Sequence, residues 1–206
     1  PGPPGPGRPS PGAPMIDLAR RAAVLAIWVA GLGVVAAVAL AGVRTPLARA
    51  FLAMGIERGD RAAIWAPNMW EWVVAALGLH SAGAVLVPLN TRFKGREAAY
   101  ILGKSRAKAL VAITGFLDTD YVSLLREAVD VDTELPDLEA IVVLRGDAPD
   151  GTRSWAEFMA AGSAIDSALV EARAQAVEPG DLSDILFTSG TTGNPKGAML
   201  THAQTL

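Results

Sequence analysis

From Leu47 onward the apolar positions alternate between a helical rhythm and short unbroken runs. Leu47 to Met54 predicts a short amphipathic helix stopped by Gly55, and Glu57-Arg58-Gly59-Asp60 a turn. Arg61 to Ala66 predicts a strand ended by Pro67, then a helix capped by Asn68 with Glu71, running to about Ala82 and closed by Gly83. Ala84 to Val87 is a buried strand ended by Pro88, and Asn90 to Lys94 is a polar connection carrying Arg92 and Lys94. Gly95 to Lys104 predicts helix and Lys108 to Ile113 strand. Asp118 caps a helix with Tyr121, Leu124, Leu125 and Val129 on one face. Ala140 to Leu144 is the next strand and Gly146 to Gly151 a turn-rich loop. Ser154 and Glu157 form a capping box for a helix ending at Gly162, and Asp166 to Ala174 is a further helix. Glu178 to Asp181 turns the chain into a strand at Ile185-Leu186-Phe187. Strands alternating with helices predict an α/β fold, with a mainly parallel sheet flanked by helices and ligands at the carboxyl ends of its strands.

The chain before Leu47 has another character. Residues 1–14 are almost entirely Pro and Gly without a collagen period, which predicts a disordered, partly polyproline-II tail. Ala22 to Val43 (22–43) carries no charge, and its 22 residues would extend about 33 Å as a helix, enough for a bilayer core. Half of it is Ala or Gly and arginines flank both ends. A transmembrane anchor, a buried or misplaced amino terminus, and a cleaved secretory signal are the alternatives. Gly31-Leu32-Gly33-Val34-Val35-Ala36 matches the dinucleotide fingerprint, but no acid follows at the ribose-binding distance, so tight helix packing explains it better.

Cysteine is absent, so no disulfide, thiol nucleophile or cysteine-held metal is available. His80 and His202 are the only histidines, so a multi-histidine metal site is not expected. A net charge of −3 with scattered basic residues gives no footprint for nucleic acid.

The candidate chemistry is concentrated in Asp184 to Gly197, DILFTSGTTGNPKG. Glycines let the backbone approach an anion, hydroxyls of Thr188, Ser189, Thr191 and Thr192 donate at short intervals, and Lys196 adds a mobile positive charge. That is a cradle for polyphosphate. It is not a Walker loop, because Pro195 precedes the lysine and Gly197 follows it. Ala198-Met199-Leu200 comes next, which predicts a loop between two strands rather than a strand-loop-helix. Asp184 is expected as a turn or cap residue, His80 as structural, and Trp65, Trp70 and Trp72 as packing around one strand-helix junction.

At these residues the sequence resembles the adenylate-forming superfamily of acyl-CoA synthetases, peptide-synthetase adenylation domains and luciferases. Twelve positions, Ile185 to Lys196, fit its phosphate-loop signature. The stretch GIERGDRAAIWAPNMWEWVVAALGLHSAGAVLVPLNTRFKGREAAYILGKSRAKALV is similar to the first sheet-and-helix part of an acyl-CoA synthetase, closest in flavour to bacterial fatty-acid and sterol-side-chain ligases. The resemblance covers 47–206, as the amino-terminal part of a large adenylation domain cut short at its carboxyl end. It implies ATP, Mg²⁺ and coenzyme A acting on a small carboxylic acid, in the cytoplasm, in an acid-thiol ligase. It also implies that Thr188, Ser189, Gly190, Thr191, Thr192, Gly193, Lys196 and Gly197 hold the ATP phosphates, with His202 near the acyl or adenylate pocket. The later family motifs are missing, so no catalytic residue is expected here and the 206 residues alone are not expected to adenylate. The alternative is a membrane-tethered, non-catalytic nucleotide-binding module.

Overall fold

The computed structural model describes Gly2 and residues 42–188 and 194–205. The expected tail at 1–14, nearly all of the apolar run at 22–43 and the loop residues Ser189 to Gly193 lie outside the described residues. A helix α1, described over 42–53, leads into a seven-stranded sheet. In chain order there follow β1 (Arg61–Trp65), α2 (Trp70–Ser81), β2 (Val85–Pro88), α3 (Gly95–Ser105), β3 (Ala107–Ala112), α4 (Tyr121–Ala128) and α5 (Val131–Glu134). Then come β4 (Ala140–Val143), β5 (Arg153–Ser154), α6 (Trp155–Ala161), a single 3-10 turn, α7 (Ser167–Gln175), β6 (Leu182–Thr188), β7 (Lys196–Thr201) and α8 (His202–Thr205).

The strand order is β5-β4-β3-β1-β2-β6-β7, parallel throughout except for the final antiparallel pair. From β1 the chain steps sideways to β2, then crosses back over β1 to reach β3. Right-handed crossovers in opposite directions put α2 and α3 on opposite faces of the sheet. The loops leaving β1 and β2 therefore part company and open a crevice at the strands' carboxyl ends.

Close helix packing uses glycine as a spacer. A Cβ on Gly78 of α2 would stand 2.5 Å from the Leu47 Cβ of α1, and one on Gly95 of α3 would meet the Leu124 carbonyl and stand 2.6 Å from the Ala128 Cβ of α4. Beneath these helices Ile64, Trp65, Leu79, Val87, Leu110 and Val142 are fully or almost fully buried. Each buried aliphatic or aromatic side chain contributes about 1.5–3 kcal/mol.

Three local expectations differ from the structure. Helix α2 has Met69, not Asn68, at its N-cap, with no side-chain cap. Glu71 is instead buried at 5 % exposure and ion-paired with Arg145, from the loop after β4. Helix α4 is capped by Asp120, whose carboxylate accepts from the Val122 and Ser123 N–H groups, while Asp118 sits in the preceding turn at φ +56°. Of the three tryptophans, Trp65 is core and Trp72 packs against it, but Trp70 is 63 % exposed on the outer face of α2. The capping box of Ser154 and Glu157 is present, and hydrogen bonds from Ser154 hold the Glu157 carboxyl below its ordinary range.

Candidate functional site

The crevice at the switch in strand order is a cleft of about 660 Å³. One wall is the turn after β1 with Trp72 of α2, a second is the connection after β2 from Leu89 to Phe93, and the third is the end of β6, Leu186 to Thr188. Among the described residues no Asp or Glu lines it. A larger groove of about 810 Å³ lies between α4, α5 and the start of β4. Its charged lining is mostly acidic, with Glu127, Asp130, Asp132, Glu134 and Glu139 against Arg126, the wrong sign for a phosphate, and it includes none of the candidate phosphate residues.

The wall after β2 is fixed from beneath. Trp65, the last residue of β1, donates its indole N–H to the Asn90 carbonyl at 3.1 Å, and Tyr121 donates its hydroxyl to the Thr91 carbonyl at 3.2 Å. The two rings pack at a 34° tilt with centroids 4.7 Å apart, and burial pushes the Tyr121 phenol above its ordinary pKa. The Asn90 side chain accepts from the Arg92 N–H at 2.9 Å and closes a tight turn.

The wall at β6 carries the candidate loop. Strands β6 and β7 form an antiparallel hairpin in which Thr188 pairs with Lys196, Phe187 with Gly197 and Leu186 with Ala198. The sequence therefore leaves the sheet at Thr188, at the carboxyl end of a parallel strand, and re-enters at Lys196. Directly opposed residues share a face of the sheet, so Thr188 and Lys196 stand side by side at the mouth of the loop. Both are exposed, and neither side chain has a hydrogen-bond or ion-pair partner among the described residues. Of the loop itself, Ser189, Gly190, Thr191, Thr192 and Gly193 lie outside the described residues. Gly197 has a steric reason: a Cβ there would stand 2.9 Å from the Ile185 Cγ2 and 3.1 Å from the Phe187 Cζ.

His202 is not part of this constellation. Thr201 pairs with Leu182 at the other end of the ladder, so His202 begins α8 a full strand, about 20 Å, from the loop. Its backbone N–H donates to the Asp181 carbonyl at 3.0 Å, and its ring meets that of His80 edge-on at 5.4 Å. His80 lies 3.2 Å from the Ser183 carbonyl and 3.7 Å from the Asp184 carboxylate. Burial holds its pKa below the ordinary value, against the pull of Asp184 and with the push of His202. Asp184 is neither a turn nor a cap residue: it is a buried member of β6, paired with Leu86 and Leu200, accepting from the Thr205 hydroxyl at 3.3 Å. Two features escaped the sequence reading. The His80–Asp184–His202 cluster could not be seen because its members are far apart in the chain. Glu71 with Arg145 was masked by a plausible cap, and the second Glu71 carboxylate oxygen is buried without a partner among the described residues.

Residues 45–206 match the family described as AMP-binding enzyme. A methyl-dioxo-octahydroindenyl-propanoyl:CoA ligase of Mycobacterium tuberculosis is 49 % identical over 160 residues, covering 77 % of this chain and 30 % of that protein. The mitochondrial medium-chain acyl-CoA ligase of Homo sapiens is 34 % identical over 168 residues, covering 75 % of this chain and 27 % of its own. Among solved structures, an anthranilate CoA ligase in complex with anthranoyl-AMP superposes with a TM-score of 0.65 at 25 % identity, over 79 % of this chain and 29 % of that one. The apo structure of MbtA from Mycobacterium smegmatis gives 0.63 at 30 % identity, over 79 % and 28 %. The chain thus spans about three-tenths of the length of the relatives it matches. With a family match over four-fifths of its residues, a mainly parallel α/β sheet, and a Gly- and Thr-rich hairpin loop at that sheet's carboxyl edge, the chain belongs to the AMP-binding enzyme family.

Proposed function

We propose that the intact protein is an ATP-dependent acyl-CoA ligase and that this chain supplies its phosphate-holding part. In such a reaction a carboxylate oxygen attacks the α-phosphorus of ATP and the bond to the bridging oxygen breaks, giving acyl-adenylate and pyrophosphate. The thiol of coenzyme A then attacks the acyl carbon and AMP leaves. The observation that carries this reading is the pairing of Thr188 with Lys196 across the neck of the loop. A hydroxyl donor and an ammonium are held together at a strand's carboxyl end, where departing pyrophosphate would need charge stabilisation.

The residues proposed to hold the β- and γ-phosphates are Thr188, Ser189, Gly190, Thr191, Thr192, Gly193, Lys196 and Gly197. Mg²⁺ would share the phosphate charge when bound. Among the described residues no group of three His, Asp or Glu could hold a metal ion. The acid is proposed to be of the fatty-acid or sterol-side-chain class, in keeping with the names of the relatives.

The reaction is proposed to occur in the cytoplasm. Membrane attachment through 22–43 is a separate proposal, since among the described residues no helix is long and apolar enough to cross a membrane. Retention of the protein in the membrane fraction through an alkaline wash, and release on deletion of 1–43, would support it; wash-out of the intact chain would remove it. The catalytic proposal is tested by pyrophosphate exchange with a panel of fatty, aromatic and sterol-derived acids. Carboxylate-dependent exchange by the intact protein is expected, and ADP as the product would sink the adenylation reading.

A further inference from the structure

At the end of the hairpin away from the loop, three elements meet on one polar cluster: α2 brings His80, β6 brings Ser183 and Asp184, and α8 brings His202 and Thr205. The His80 Nε2 stands 3.2 Å from the Ser183 carbonyl. A carbonyl only accepts, so this bond puts the ring proton on Nε2 and leaves Nδ1 to take up a second one. Asp184 is already engaged: one oxygen accepts from the Thr205 hydroxyl at 3.3 Å, and the other lies 3.7 Å from His80, beyond hydrogen-bond reach. Thr205 also lies 2.8 Å from the Ser183 hydroxyl, and the His202 ring meets that of His80 edge-on at 5.4 Å. Ser183 and Asp184 are both buried. The charges on the surrounding elements have partners elsewhere. Asp181, in the turn before β6, bonds Arg58. On α1 and α7, which also pack on α2, Arg44 pairs with Glu171 and Arg49 donates to the Ser163 carbonyl, while Arg173 is half-buried.

We propose that His80 and His202 form an acid-operated latch, which ties the hairpin and α8 to α2 and releases them when His80 gains its second proton. A neutral His80 donates one bond to the hairpin and needs nothing more. An imidazolium in the same place brings its charge into a half-buried site beside a second histidine ring, with one shared carboxylate to answer it. Burial weighs more on this ring than the pull of Asp184, and His202 adds to it, so the docked arrangement favours the neutral form. The charge is relieved by turning the ring into water, which parts α2 from β6. Asp184, the residue the latch faces, is also the one through which the hairpin pairs with Leu86 and joins the parallel sheet. Strand β6 runs from this cluster to Thr188, so opening here loosens the cleft's third wall from its far end. The inference concerns how the hairpin is seated and stands whether or not the loop holds phosphate.

The test is amide hydrogen exchange of the intact protein at about pH 7 and about pH 5.5, read by peptide and corrected for the intrinsic rate at each pH. On acidification the opening equilibrium of β6, β7 and α8 should rise by about threefold to tenfold more than that of β1 and β3, the range open to the uptake of one proton. His80→Gln keeps an N–H donor for the Ser183 carbonyl and cannot take a charge, so in this variant the difference between hairpin and inner strands should vanish. His202→Gln leaves α2 untouched and removes the second ring, and it should shrink the difference; it also carries the test if His80→Gln does not fold. An acid response spread evenly over all strands overturns the inference. A selective response that persists in full in either variant overturns it as well, because the titration then belongs to Asp181 or Asp184.

Discussion

The ring of Phe187 lies over Gly197 on the neighbouring strand, so close that a methyl group on the glycine would stand 3.1 Å from the Phe187 Cζ. An aromatic ring covering a bare backbone position fills the space a side chain would occupy and fixes the register at the loop's neck. Gly197→Ala should therefore destabilise the fold by about 1–3 kcal/mol through overpacking. Denaturant unfolding checks this, and adding Phe187→Leu should return part of the loss. A neutral Gly197→Ala would mean that Phe187 has room to move.

Lys196 stands beside Thr188 with no side-chain partner among the described residues, so its charge is available to a ligand. In the intact protein Lys196→Ala should weaken ATP use by about tenfold to a hundredfold, as for a lost charged hydrogen bond, and leave binding of the acid nearly unchanged. Unchanged KM for ATP and unchanged kcat would take Lys196 out of the site.

Two glycines that do not line the cleft separate packing from local backbone effects. Gly95 lets α3 lie against α4, and a Cβ there meets the Leu124 carbonyl and the Ala128 methyl, both backed by a helix that cannot yield locally. Gly180 has nothing within 4 Å of the added carbon. Gly95→Ala should cost about 3 kcal/mol, and Gly180→Ala should stay within about 0.5 kcal/mol of wild type. Equal effects at the two sites would contradict the close approach of α3 and α4.

The buried His80 gives the fold a pH dependence of definite sign. Burial depresses its folded pKa below the unfolded value of 6.5. Just below 6.5 the unfolded chain therefore binds more protons than the folded one, and stability rises with pH through that window. Lowering the pH from 7 to 5 should reduce the unfolding free energy progressively until the folded pKa is passed. In His80→Gln this slope should shrink. Asp184 and His202 face His80 from β6 and α8, and Asp181, bonded to the Glu178 N–H and to Arg58, carries the nearby negative charge. A slope unchanged in His80→Gln would assign the titration to one of those groups.

The alternation of strand and helix from Arg61 to Phe187 was legible because each apolar run ends at Pro67, Pro88 or a glycine. The hairpin was legible too, since Ala198-Met199-Leu200 leaves no room for a helix after the loop. Strand order was not, because the return of β3 across β1 depends on sheet-wide packing. The caps were misplaced by one or two residues for backbone reasons. Leu117 and Asp118 take positive φ, so the chain cannot enter a helix there and Asp120 caps instead.

His202 shows the same limit from the other side. It follows soon after the loop in sequence, yet an antiparallel return moves every successive residue away from the turn and sets it at the far end of the hairpin. Trp70 and Trp72 are two residues apart on a helix and so point in different directions, one into solvent and one onto the core.

The cleft's third wall has a different origin in time from the other two. Trp65, Asn90 and Tyr121 belong to consecutive crossovers, and their contacts close over modest stretches of chain. The hairpin that carries Thr188 forms locally, but it joins the sheet through Leu86 and Asp184, with most of the described chain lying between those two residues. Contacts of such long sequence separation bear their loop-closure entropy before they return any stabilisation, and they belong to the slow part of folding. The crevice at the strands' carboxyl ends is therefore completed late, when a finished hairpin docks against a sheet already five strands wide.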